Sequence, residues 1–300
     1  MKKSLSGLRA SLLLATALLT VSTLLPAQVN ARAALLTADT ELSDAVYKNG
    51  AIATFPQALG SSGVLVWPGA AVLQGSAAAS RLLAHQLQLD GARISWQPLR
   101  IEMAQDSTLA VLAGVAALDR PATETVVAAR RIGRYLAAWM RVGDRWQLAA
   151  FTLVNLIPAG EQGWDDSDGP RELPLLRSVG RAGSFVAADS AFAADAGAVG
   201  ASKAFEKWAA PDATTFGGTG ELNTGPAQIG ATLAGNTAKW VWGAVAAGAS
   251  TDGTLGWTVG QATITPANGG APSKSKYLTL WRKMPDGSIK FIADGGNARP

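Results

Sequence analysis

The stretch that decides the fold runs from Asp252 to Lys290 and reads DGTLGWTVGQATITPANGGAPSKSKYLTLWRKMPDGSIK. It is rich in Thr, Val, Tyr and Trp, which favour β-strands, and it contains Asn-Gly and Asp-Gly pairs, which favour tight turns. Consecutive strands joined by short turns run antiparallel. The pattern therefore predicts an antiparallel meander, with strands at 239–246, 254–264, 276–283 and 289–294.

Helices are predicted upstream of this meander. Phe185, Ala188 and Phe192 fall on one stripe at helical spacing, which indicates an amphipathic helix. A shorter helix is predicted around 205–208, and another is predicted to begin at Pro226, because proline fits the first turn of a helix. Helices followed by a run of strands indicate an α+β fold.

The chain carries this pattern twice. When the sequence is aligned with itself, residues of the first half pair in order with residues of the second half, and the register slips only between apolar runs. The retained pairs include Phe55 with Phe205, Trp96 with Trp242, Tyr135 with Tyr277, Trp139 with Trp281 and Asn155 with Asn297. Loops tolerate length changes better than packed elements do, so the slips mark connections. The sequence therefore predicts two copies of one domain.

We place the first domain at 34–157 and the second at 181–297. The segment between them, 158–180, begins polar and rich in Gly and Asp, as expected of a linker. Asp166 and Asp168 suggest a calcium loop, but Trp164 stands where such a loop needs an oxygen ligand. No metal site is therefore predicted in the linker.

Residues 1–31 are predicted to be a signal peptide, because basic residues precede the apolar stretch 12–25 and a small residue, Ala31, follows at a suitable cleavage distance. We expect export to the periplasm or secretion, with no membrane attachment after cleavage. The signal peptide carries most of the formal net charge of +4, so no nucleic-acid partner is expected. The absence of Cys and the presence of one His exclude thiolate and multi-histidine metal sites. No cofactor is predicted.

The second half resembles the SnoaL-like domains of the nuclear-transport-factor-2-like superfamily. The resemblance is carried by the order Asp189, Phe192, Gly200 and Phe205, by DGTLGWTVG at 252–260 and by KYLTLWRK at 276–283. The first half resembles a diverged member, with GRYLAAW at 133–139. The resemblance implies two tandem cystatin-like cones, each with N-terminal helices packed on a curved antiparallel sheet and a pocket at its mouth. It also implies that the two domains pair within the chain.

The resemblance leaves the activity open, because the superfamily includes isomerases, dehydratases and cyclases as well as binding modules without catalysis. Such enzymes use a carboxylate or His as general base in an apolar pocket. Asp294 is the candidate base and Tyr277 the candidate proton donor. The first half has no acid at the position of Asp294.

Aromatic residues on neighbouring strands are candidates for a ligand site. The predicted ligand-binding residues are Trp242, Trp257, Tyr277, Trp281 and Asp294. The same aromatic residues are equally able to fill the core or the contact between the two copies. Asp294 is equally able to be a turn-forming residue. Asp189, which repeats as Asp39, is expected to cap or pair locally on its helix.

These observations favour an exported protein that binds or scaffolds a small apolar or amphipathic molecule. They favour binding over catalysis, because few titratable groups fall within the predicted apolar elements. The alternative is a cofactor-independent isomerase, dehydratase or cyclase that uses the carboxylate of the second half. A third possibility is that the repeat presents a surface for a protein partner.

Overall fold

The computed structural model describes residues 26–86, 91–124, 127–157, 180–216 and 221–299. Most of the predicted signal peptide and of the predicted linker lies outside the described residues. The helix that begins at Pro26 runs through the predicted cleavage site, and Ala31 is buried within it.

The first half contains three helices and six strands in its described part. The helices are α1 (Pro26–Asn49), α2 (Ala51–Leu59) and α3 (Gly75–Gln86). The strands are β1 (Val64–Val66), β2 (Val72–Gln74), β3 (Arg93–Met103), β4 (Leu109–Arg120), β5 (Ala129–Val142) and β6 (Arg145–Val154).

The second half repeats this order after a short 3-10 turn at Gly180–Ala182. Its helices are α4 (Gly183–Val199), α5 (Ala201–Trp208) and α6 (Pro226–Thr232). Its strands are β7 (Ala209–Phe216), β8 (Leu222–Thr224), β9 (Lys239–Ala249), β10 (Leu255–Thr265), β11 (Ser273–Lys283) and β12 (Ile289–Arg299).

The two sheets have the same topology. The strand order is β2-β1-β6-β5-β4-β3 in the first sheet and β8-β7-β12-β11-β10-β9 in the second. In both sheets the last two strands carry a β-bulge at an equivalent place, after Ala138 in β5 and after Leu280 in β11. Bulges bend a strand and increase its twist. The predicted α+β fold in two tandem units is confirmed.

The predicted meander is antiparallel in both halves, and each sheet adds one parallel pair, so the sheets are mixed. β1 pairs with β6 in parallel, and β7 pairs with β12 in parallel. These early strands join the meander only through a long connection, for which the local sequence carries no signal. Pro211 lies where the β7 ladder is interrupted, which suits a residue that has no N–H to donate.

The two halves contact each other through their sheets. One apolar cluster contains buried residues of both sheets, among them Val111 and Leu136 from the first and Leu255 and Leu280 from the second. At the edge of this contact Arg282 bridges to Glu102 at 3.0 Å across the halves. The apolar face that a single sheet would leave exposed is covered by the other sheet.

Two equivalent turns of the two halves bind each other reciprocally. The backbone N–H of Asp106 donates to the Asp252 carboxylate at 3.0 Å, and the backbone N–H of Asp252 donates to the Asp106 carboxylate at 2.7 Å. The same patch is used on both sides, which is the pattern of a two-fold symmetric dimer. The contact within this chain is therefore pseudo-symmetric.

Within the described part of the chain, no helix combines the length and the apolar character needed to cross a membrane.

Candidate functional site

A cavity of about 520 Å³ lies between the helices and the sheet of the second half and is open to solvent at one side. Its apolar wall is aromatic and includes Phe192, Phe205 and Trp242. Its polar wall includes Thr279 and Asp294. This size lies within the usual range of small-molecule sites, roughly 300–1,000 Å³.

Asp294 lies inside strand β12, so the alternative in which it forms a turn is wrong. It pairs with Thr279 of β11, and the Thr279 hydroxyl donates to its Oδ2 at 2.6 Å. Burial raises the pKa of Asp294 to about 6, although the hydrogen bond from Thr279 opposes this rise. The group is therefore able to exchange its proton near neutral pH.

Two glycines after Asp294 keep this part of the strand free of side chains. A Cβ at Gly296 would collide with the backbone carbonyl of Lys276. Only glycine fits there, so the cavity wall beside the carboxylate is bare backbone.

Tyr277 lines the cavity, but its proton is engaged elsewhere. Its hydroxyl donates to Asp189 Oδ2 at 2.8 Å, and Thr258 donates to the other oxygen, Oδ1, at 3.0 Å. To donate this proton to a substrate, as predicted, Tyr277 would have to give up its hydrogen bond to Asp189. Burial, followed by the charge of Asp189, raises the pKa of Tyr277 well above its usual value.

Asp189 is fully buried and does not cap or pair locally, so that expectation is wrong. It reaches from α4 to the sheet, where it accepts from Thr258 and Tyr277. Burial raises its pKa to about 7, and the nearby Asp294 charge adds to this rise. The sequence showed Asp189 repeated as Asp39, but helical spacing alone did not show that its side chain faces the sheet.

The predicted aromatic residues separate into two groups. Trp242 lines the cavity, together with Tyr277 and Asp294. Trp281 is fully buried, and its indole Nε1 donates to Thr258 at 2.8 Å. Trp257 belongs to the apolar cluster shared with the first half. Trp257 and Trp281 are thus not part of the described cavity wall. They fill the core and the contact between the halves, which is the alternative that the sequence left open.

Strand register shows what occupies the equivalent place in the first half. Phe151 pairs with Ala137 of β5, as Asp294 pairs with Thr279 of β11. One step further, Leu153 pairs with Tyr135, as Gly296 pairs with Tyr277. The carboxylate of the second half therefore stands where the first half has a phenylalanine.

The same register corrects the sequence alignment near the end of each half. Asn297 pairs with Lys276, and its equivalent in the first half is Val154, which pairs with Arg134. The pairing of Asn155 with Asn297 is thus wrong by one residue.

Aromatic rings pack the interior of the first half. Phe151 lies 4.9 Å from both Phe55 and Trp96, measured between ring centroids. Trp96 is only 6% exposed, whereas its equivalent Trp242 is half-buried at the cavity wall. The two halves share a fold but differ in what fills it.

No family model and no curated protein matches the sequence. Among solved structures, the chain is similar to a protein of Xanthomonas campestris described as a calcium/calmodulin dependent protein kinase II association domain (20% identity, TM-score 0.38, 43% of this chain and 96% of that chain). It is also similar to an NTF2-like protein with a cystatin-like fold from Novosphingobium aromaticivorans (16% identity, TM-score 0.36, 42% of this chain and 82% of that chain).

A third similar structure is a ketosteroid isomerase-like protein from Erwinia carotovora (16% identity, TM-score 0.35, 40% of this chain and 98% of that chain). The second of these proteins carries the name of the superfamily that the sequence resembles. At such identities the likeness concerns the fold alone, so activity and ligand have to be inferred from the site.

The buried carboxyl group of Asp189 makes stability depend on pH. The folded protein keeps this proton up to about pH 7, whereas the unfolded chain loses it near the usual value of 3.8. Because the folded state binds more protons between these values, stability falls as the pH rises from about 4 to about 7. We predict that Asp189→Asn removes about 4 kcal/mol of this fall in the free energy of unfolding, as measured by urea unfolding at several pH values.

The control is Asp286→Asn, which changes an exposed turn residue and should leave the fall in place. If the free energy of unfolding of Asp189→Asn depends on pH as it does in wild type, Asp189 is ionised in the folded protein and the prediction is wrong.

Proposed function

We propose that the second half binds a small, largely apolar molecule that carries one hydrogen-bond donor. The observation that carries this proposal is the exchange of Phe151 for Asp294 at equivalent places in the two sheets. The exchange replaces a ring in a packed interior with a carboxyl group at the wall of a cavity. The first half then serves as the scaffold on which the second is mounted.

The cavity wall suits such a ligand. The faces of Phe192, Phe205 and Trp242 offer large apolar contact areas at fixed positions. The Asp294 carboxylate offers an acceptor, and a donor on the ligand would complete its hydrogen bonding beside Thr279. Hydrogen bonds to a charged group are stronger than neutral ones, so this contact orients the ligand.

Asp294→Phe tests the proposal because it gives the second half the residue that fills the first. We predict that it abolishes binding of N-phenyl-1-naphthylamine, a neutral apolar fluorophore with one N–H donor. Wild type is expected to bind this probe with an increase in fluorescence. Asp294→Asn keeps the cavity and is expected to bind at least about tenfold more weakly than wild type, because the charged acceptor is lost.

Equal binding by wild type and Asp294→Phe would contradict the proposal, since the probe would then bind outside this cavity.

A second candidate function is proton transfer, as in a cofactor-independent isomerase, dehydratase or cyclase. It is favoured by one observation, the raised pKa of Asp294 beside an aromatic cavity. A general base works best when its pKa lies near the working pH. The base would take a proton from an activated C–H group of the ligand and return it to another atom.

Exchange of deuterium from D2O into 2-tetralone tests this candidate by NMR. Only the ionised carboxylate accepts a proton, so the catalysed rate is predicted to rise as the pH passes about 6. Asp294→Asn is predicted to lower it by about 100-fold or more. An exchange rate equal to that of buffer would leave binding as the function.

We also propose that residues 1–31 direct export, with the mature protein in the periplasm or outside the cell. The basic residues and apolar stretch of the sequence support this proposal. Expression of the full chain in a bacterial host should yield an exported protein with an N-terminus near Arg32, as read by mass spectrometry. A chain retained in the cytoplasm with Met1 intact would contradict it.

A further inference from the structure

The wall of the cavity is not built by the second half alone. Val154 and Asn155, which end the first sheet, also line it. Val154 is 3% exposed, so it is packed in place and not free to swing aside. The contact between the halves and the candidate ligand site therefore meet at one point.

A polar cluster around the half-buried side chain of Asn297 fixes this point. The side-chain amide of Asn297 donates to the carbonyl of Leu153 at 3.0 Å and to the Thr152 hydroxyl at 3.2 Å. Its carbonyl oxygen accepts from Lys276 Nζ at 2.5 Å, and Lys276 is fully buried. Buried polar groups are stable only when they are hydrogen-bonded, so the end of β6 is held firmly against β11 and β12.

Gly295 allows Val154 to come this close. A Cβ at Gly295 would lie 2.9 Å from Val154 Cγ2 and 3.1 Å from Phe216. Because Gly295 carries no side chain, the isopropyl group of Val154 approaches the backbone of β12 at the residue that follows Asp294. Val154 and Asp294 line the same cavity, but they belong to different halves.

We propose that Val154 of the first half limits the size of the ligand that the second half accepts. The inference rests on the proposed function, since it assigns a specificity-determining residue to the same cavity. A ligand whose donor group binds Asp294 would extend along the cavity until it meets the packed end of β6. The first half is then part of the binding site as well as its support.

Competition between N-phenyl-1-naphthylamine and 4-alkylphenols, from 4-ethylphenol to 4-octylphenol, measures this limit. The phenol hydroxyl provides the donor, and the alkyl chain measures the available length. In wild type, affinity should rise roughly fourfold with each methylene and then level off at one chain length. In Val154→Ala that break should move to a longer chain, and in Val154→Leu it should move to a shorter one.

Val111→Ala is the matched control. Val111 is also a buried valine, 2% exposed, in the contact between the halves, but it is not part of the described cavity wall. Val111→Ala should lose about as much stability as Val154→Ala. Its affinity for the alkylphenols should level off at the same chain length as in wild type. If the chain length at which affinity levels off changes in both Val154→Ala and Val111→Ala, or in neither, the assignment of Val154 is overturned.

The outcomes separate the two proposals. If Asp294→Phe abolishes probe binding while both Val154 variants keep the wild-type break, the second half binds ligands but Val154 does not limit them. If wild type and Asp294→Phe bind the probe equally, both proposals fail.

Discussion

Each half of the molecule depends on a carboxyl group that joins its opening helix to its sheet. Asp39 accepts from Tyr135 at 3.0 Å, and Asp189 accepts from Tyr277 at 2.8 Å. Both carboxyl groups are buried, and burial of such a group costs free energy unless it is hydrogen-bonded. The bond therefore fixes the distance between helix and sheet in both halves. With that distance fixed, the interior is either filled by side chains or left open.

Both halves contain packed aromatic rings, but they differ at one place in this interior. In the first half, Trp139 donates directly to Asp39 at 3.2 Å, and rings centred on Phe151 fill the interior. In the second half, Trp281 binds Thr258 and Asp294 replaces the central ring. Packed aromatic interiors favour stability, whereas a cavity with a carboxyl group gives up some stability and makes space for a ligand. The first half is therefore filled by rings around Phe151, and the second half keeps space beside Asp294.

The sequence predicts much of this arrangement, because the features concerned are local. The two-residue period of a strand puts Tyr277, Thr279 and Trp281 on one face of β11, and turn residues separate the strands of the meander as predicted. The parallel strands β1 and β7 were missed because their pairing depends on contacts distant in the chain. For Trp281 the sequence left both the cavity wall and the core open, because Phe192 and Trp208, which cover it, are brought to it only by folding.

The proposed ligand cavity lies in the second half, whereas rings pack around Phe151 in the described part of the first half. Indole N–H signals in a two-dimensional NMR spectrum of 15N-labelled protein test this difference directly, since each Trp side chain gives its own signal. On addition of N-phenyl-1-naphthylamine, we predict that the signal of Trp242 shifts and the signals of Trp67 and Trp96 do not. A shift of Trp96 with an unchanged Trp242 would contradict it.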